Sequence, residues 1–160
     1  MVPTFAPRLA RIALLPLILM ARPPEASAAL GGTVTSVDAD RVHVQGALMR
    51  IVQTGPVAMH ELRSSSGTMI REYVNSSSGT VFAVAWDGPW IPDLRQVLGD
   101  HFDHYQAAMR ARQQARRARG VVAIDDAGLV VQMGGHPRAF TGRAYLTGQL
   151  PAGVQLGTIR

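Results

Sequence analysis

Asp100, His101, Asp103 and His104 put two carboxylates and two imidazoles within five consecutive residues. On a helix, Asp100 and His104 lie four apart on one face, a spacing from which an oxygen and an imidazole nitrogen can reach a common divalent cation. Two ligands are too few for a stable site. His101 projects onto an apolar stripe, where a packed, hydrogen-bonded imidazole is the ordinary arrangement, and His104 then faces water. The expectation is no metal and no cofactor. His136 stands between Gly134-Gly135 and Pro137-Arg138, which reads as an exposed turn beside a flexible backbone, a common place for functional groups. A hydrolase would pair this imidazole with a serine and an acid. The serines at 64–66 and 76–78 are turn residues beside glycine, and no G-x-S-x-G elbow surrounds them. Glu61, Glu72 and Asp87 are the carboxylates that a glycosidase would need on one sheet face, although unpaired carboxylates on strands ordinarily face solvent.

Two further groups suit binding rather than reaction. Trp86 and Trp90, with Phe82, flank Gly88-Pro89. An exposed Trp beside such a turn can anchor a partner or a glycan, and packing under a helix accounts for the same residues. Arg110, Arg112, Arg116, Arg117 and Arg119 form a basic run without an acidic residue among them. Positive charge at a helix C-terminus is favoured by the helix dipole and keeps the segment solvated. Guanidinium groups also grip phosphates and carboxylates through paired hydrogen bonds, which makes Arg112, Arg116, Arg117 and Arg119 candidate contacts to an anionic partner. Neither Gly-Gly pair has the spacing of a nucleotide-binding loop.

The elements that must carry these residues follow from periodicity. The pentapeptide Ser-Ser-Ser-Gly-Thr occurs at 64–68 and again at 76–80. It separates three strand-like runs: Met59 to Arg63, Met69 to Val74, and Val81 to Trp86. Gly-containing turns between such runs predict an antiparallel meander whose third strand, apolar on both faces, is the most buried. Pro92 and Asp93 suit the start of a helix, which the pattern extends to about Ala118. Leu94, Val97, Leu98, Phe102, Tyr105, Ala108 and Met109 fall on one stripe of it, and Asp93, Gln96, Asp100 and Asp103 fall opposite. Gly99 lies off the stripe and marks a bend. Strands return at Val121 to Ile124, Leu129 to Met133 and Arg138 to Leu146, and the tail from Gly148 reads as irregular. The fold class is therefore α+β: an antiparallel sheet built from the meander and the later strands, with one long amphipathic helix across one face.

The N-terminus has another purpose. Arg8 and Arg11 precede an apolar run from Ile12 to Ala21, about half the length a bilayer-spanning helix requires. Pro23 and Pro24 end it, and Ala26-Ser27-Ala28 offers the small residues that a signal peptidase reads. The expected domains are a signal peptide at 1–28, an irregular N-terminal arm at 29–56 broken by Gly46, Gly55 and Pro56, and a single α+β domain at 57–160. The chain contains no cysteine. That excludes disulfides, thiolate metal sites, a cysteine nucleophile and the lipidated cysteine of a bacterial lipoprotein. Every one of its 16 basic residues is Arg, and removing Arg8, Arg11, Arg22 and Glu25 with the leader leaves 13 Arg against 10 acids, a mild net charge of +3.

Leu30-Gly31-Gly32, Gly67-Thr68 before Arg71-Glu72-Tyr73-Val74, Val81-Phe82-Ala83-Val84 with Trp86 and Gly88-Pro89, Pro92-Asp93-Leu94 with Leu98-Gly99, and Gly134-Gly135-His136 before Ala139-Phe140 and Gly142-Arg143-Ala144-Tyr145 occur in that order. In this order the chain resembles the Domain of Unknown Function 2844 family of small exported bacterial proteins, over nearly all of the segment after the leader. The resemblance implies export and carries over no activity, cofactor or catalytic residue.

These readings combine into an exported soluble protein, periplasmic or secreted, with no membrane span once the leader is removed. The expected role is a non-enzymatic binding or assembly accessory of the cell envelope, contacting an envelope protein or an anionic envelope component through residues among Trp86, Trp90, His136, Arg138 and the Arg run. The alternative is a small envelope hydrolase using His136 or the Asp100–His104 cluster. Nucleic acid is not an expected partner of an exported chain.

Overall fold

A computed structural model describes residues 30–33, 47–115 and 121–160. Seven strands form one antiparallel sheet: β1 (Ala47–Thr54), β2 (Val57–Arg63), β3 (Met69–Asn75), β4 (Val81–Gly88), β5 (Val122–Asp126), β6 (Leu129–His136) and β7 (Ala139–Leu146). The spatial order is β1-β2-β3-β4-β7-β6-β5. Each half of the sheet is thus made by sequence neighbours, and β4 joins β7 across the seam. Between the halves lie helix α1 (Leu94–Leu98), a 3-10 turn over Gly99–His101 and helix α2 (Phe102–Gln114). The architecture is mixed α+β.

The two Ser-Ser-Ser-Gly-Thr segments make related turns. In both the glycine takes a positive φ, +87° at Gly67 and +69° at Gly79, a conformation that residues with a Cβ rarely adopt. The hydrogen bonds differ. The Gly67 N–H reaches the Ser64 carbonyl, whereas the Gly79 N–H reaches back one residue further to Asn75. Asn75 also accepts from the Ser77 N–H and hydroxyl, so this side chain widens the second turn.

Two expectations are corrected. The stretch at 29–56 is not irregular throughout, because Ala47–Thr54 is an edge strand paired with β2. A register shift between Leu48 and Arg50 places an extra residue there. This bulge breaks the inward-outward alternation by which a strand is recognised. The helical region also ends sooner than expected. It breaks at Gly99 and α2 ends at Gln114, while residues 116–118 of the expected extension lie outside the described residues, as does the leader at 1–28.

Alternation along the strands sorts the core into two faces. On one, Ile70, Val74, Val84, Trp86, Val131 and Ala144 bury with Val97, Leu98 and Tyr105 of the helical segment, and Phe102, Ala108 and Met109 pack at the margin. On the other, Tyr73, Phe82, Ala85, Val130 and Tyr145 bury with Ile159, and Leu150 and Val154 pack alongside. The tail after β7 is therefore part of the core and not a loose end.

Candidate functional site

Four backbone positions after β4 build the one exposed aromatic anchor among the described residues. Trp86 points inward under the helical segment and is only 1% exposed. Trp90 stands just past the Gly88-Pro89 turn and is 61% exposed, with Ile91 beside it at 44%. The two tryptophans therefore divide: Trp86 is a core residue, a correction to its place among the binding candidates, and Trp90 is presented to solvent. The physical reason is register, since Trp86 still lies within the sheet alternation and Trp90 has left it.

The loop carrying Trp90 is braced by the first of the repeated turns. Thr68 is fully buried, and its hydroxyl donates to the Trp90 carbonyl at 2.7 Å. A Cβ on Gly88 would stand 2.6 Å from the Thr68 Cα, so the two backbones touch at a point that admits no side chain. Asp93 then caps α1, its Oδ1 accepting from the Arg95 N–H at 2.9 Å. The Arg95 guanidinium sits 4.4 Å over the centre of the Phe102 ring. Trp90 and Ile91 are thus held on a short stiff loop between strand and helix.

The other candidates are more scattered. His136 is the last residue of β6 and pairs across a two-residue hairpin with Ala139. The connection is Pro137-Arg138, with Arg138 at φ +71°. His136 and Arg138 are exposed, and His136 Nδ1 lies 3.3 Å from the Pro137 carbonyl oxygen. Asp100, Asp103 and His104 face solvent, while His101 is partly buried against Gly31. Among the described residues no three His, Asp or Glu side chains gather to hold a metal ion. The serines serve their turns: Ser64 Oγ lies 2.7 Å from Ser66 Oγ and accepts from the Thr68 N–H. Arg110 bonds Gln106 along the helix, and Arg112 donates to the Val121 carbonyl at 2.9 Å. Arg112 thereby ties α2 to the start of β5. Arg116, Arg117 and Arg119 lie outside the described residues.

The three strand carboxylates do not share a face. Glu61 and Asp87 stand on the face away from the helices, each paired with Arg71, at 3.1 Å for Glu61. Burial works against the charge on Arg71, and Asp87 and Glu61 outweigh it, holding the guanidinium above its ordinary pKa. Glu72 points to the opposite face. There it is buried directly across from the equally buried His60, and neither residue lacks a partner.

A cluster absent from the sequence reading binds the tail to the sheet. The Tyr73 hydroxyl lies 3.3 Å from the Thr158 carbonyl and 3.0 Å from that of Arg160, and it accepts from the Arg160 N–H. Arg143 donates to the Leu156 and Ile159 carbonyls and, through Nε, to Gln132. Arg71 reaches the Arg160 carbonyl. Arg71, Tyr73 and Arg143 thus gain a structural account, as the polar grip on a strap spanning 150–160. Beneath the strap, beside the β1–β2 hairpin, lies a cavity of about 590 Å³. A shallower groove of about 580 Å³ runs between α2 and β5, with Arg112, Asp125 and Asp126 among its walls.

No helix among the described residues is long and apolar enough to cross a membrane. No curated protein and no solved structure matches the chain. A family model does match, over residues 26–159, a span that includes all seven strands, the helical segment and the strap as far as the buried Ile159. The chain belongs to the family described as protein of unknown function DUF2844.

Proposed function

We propose that the protein is an exported binding accessory of the bacterial cell envelope, acting by docking and not by catalysis. In this reading the leader at 1–28 is removed before Ala29, and the rest folds as one domain with the helix laid across one face of the meander. The observation that carries it is the display of Trp90 and Ile91, two large apolar side chains left in water on a loop braced by a buried hydroxyl. Keeping Trp in solvent costs stability that burial would recover, and rigid exposed aromatics are the residues on which interfaces concentrate their energy. The occupant that fits is a protein surface with an apolar pocket, into which the indole inserts without first losing the freedom of a mobile loop.

Pull-down from envelope extract with the mature protein tests this reading. A defined protein partner captured by the wild type and by Arg112→Gln, and lost with Trp90→Ala at unchanged melting temperature, is the expected result. Identical captured sets from wild type and Trp90→Ala would overturn the docking surface. Intact-mass analysis of the periplasmic fraction is expected to show loss of residues 1–28, and a soluble product retaining Met1 would overturn export.

A further inference from the structure

We infer that the cavity between the β1–β2 hairpin and the strap is a binding site for the alkyl chain of a fatty acid. It goes beyond the partner surface at Trp90, which takes no part in lining it. The floor is made by Val52, Val57, Met59 and the ring of Tyr73, and Val154 of the strap closes over it. At about 590 Å³ it falls within the roughly 300–1,000 Å³ range of small-molecule sites.

The chemistry of the lining selects the ligand. No charged side chain lines the cavity, and its polar side chains are Thr54, Gln155, Thr158 and the phenol of Tyr73. That phenol is already engaged with the backbone of Thr158 and Arg160, so Tyr73 offers its ring. Water inside finds few partners there, and a hydrocarbon leaves no hydrogen bond unmade by entering. Met59, unbranched and polarizable, adapts to an irregular chain. A carboxylate has a counter-ion one row along the same sheet face. Arg50 stands two residues from Val52 on β1, its side chain 62% exposed and only loosely paired with Glu61 at 3.9 Å.

The strap's section over the cavity is a turn in which the Val154 N–H reaches the Pro151 carbonyl at 3.2 Å. Arg143 and Tyr73 hold the chain downstream of it, at Leu156, Thr158, Ile159 and Arg160. The wall over the cavity thus has its hydrogen-bonded anchor on one side of it, and Val154 itself is held by packing.

Calorimetric titration of the protein with dodecanoate, below the concentration at which it forms micelles, is the test. Saturable binding of one dodecanoate per chain is expected. Met59→Trp and Val52→Trp, which fill the floor, should each lower affinity at least about tenfold while the protein still melts cooperatively. Arg50→Gln should weaken dodecanoate and leave dodecanol unchanged. Absence of saturable binding, or wild-type affinity in whichever filled variants fold, overturns the site. An equal response of both ligands to Arg50→Gln, or none from either, overturns the carboxylate assignment.

Discussion

Gly142 lies against the indole of Trp86. The two are cross-strand partners in β7 and β4, and a Cβ at position 142 would stand 2.3 Å from Trp86 Cζ2 and 2.5 Å from Cε2. A single methyl group there must displace a fully packed ring. Gly142→Ala is expected to cost about 1–3 kcal/mol in urea or thermal unfolding. The loss should shrink when Trp86→Leu is made in the same chain, because the smaller side chain removes the ring against which the new methyl group clashes. Strict additivity would show that the ring is not what fills this space.

The strap depends on Tyr73 for three backbone contacts and on Arg143 for two. Tyr73→Phe keeps the ring in the core and deletes the hydroxyl, so a loss of about 0.5–1.5 kcal/mol is expected. Amide hydrogen exchange localises the effect: protection should fall at residues 154–160 and hold in β4. A uniform fall across the sheet would mean that Tyr73 supports the core and not the strap.

Thr68→Val tests the brace under Trp90. The substitution preserves shape and removes the donor to the Trp90 carbonyl, for about 1 kcal/mol. With fluorotryptophan in both positions, the Trp90 resonance should sharpen as its loop gains motion, and the Trp86 resonance should not. Unchanged spectra would leave the loop rigid for another reason.

Burial raises the Tyr105 phenol above its ordinary value of 10. The sign follows from proton binding. Above pH 10 the unfolded chain loses this proton first, so the folded state binds more protons and stability falls as pH rises toward the folded value. Below pH 10 the contribution is complete. Tyr105→Phe is expected to flatten the alkaline decline of the melting temperature, and an identical alkaline slope would assign that decline to other groups.

Much of this was legible in the residues. The repeated Ser-Ser-Ser-Gly-Thr turns, the inward stripe from Leu94 to Met109 and the bend at Gly99 are local signals, and local signals survive without tertiary information. What stayed hidden had physical causes. The bulge beside Met49 disguised β1, and Gly134-Gly135 resembled a turn although β6 runs through both to His136. Gly135 is small because a Cβ there would meet the Ala139 carbonyl oxygen at 2.2 Å, a cross-strand constraint that no spacing announces. The strap lacks periodicity, so nothing in the order of Leu150, Val154 and Ile159 revealed that it closes one face of the core. Trp86 and Trp90 flank the same turn, and only the register of β4 tells them apart.

The joining of β4 to β7 sets how the chain must fold. The hairpins on either side close over short turns, but even the nearest pair across the seam, Gly88 and Phe140, is separated by the whole helical segment and the β5–β6 hairpin. Closing that long loop sacrifices chain entropy before any seam contact repays it. The barrier therefore lies in docking two preformed half-sheets. Weakening the seam with Ala144→Gly should slow refolding, and Leu62→Ala, within the preformed β2–β3 pairing, should leave the unfolding rate nearly unchanged. Until the halves meet, both raw edges of the future seam stand open, and in that interval the chain is most exposed to pairing with a copy of itself.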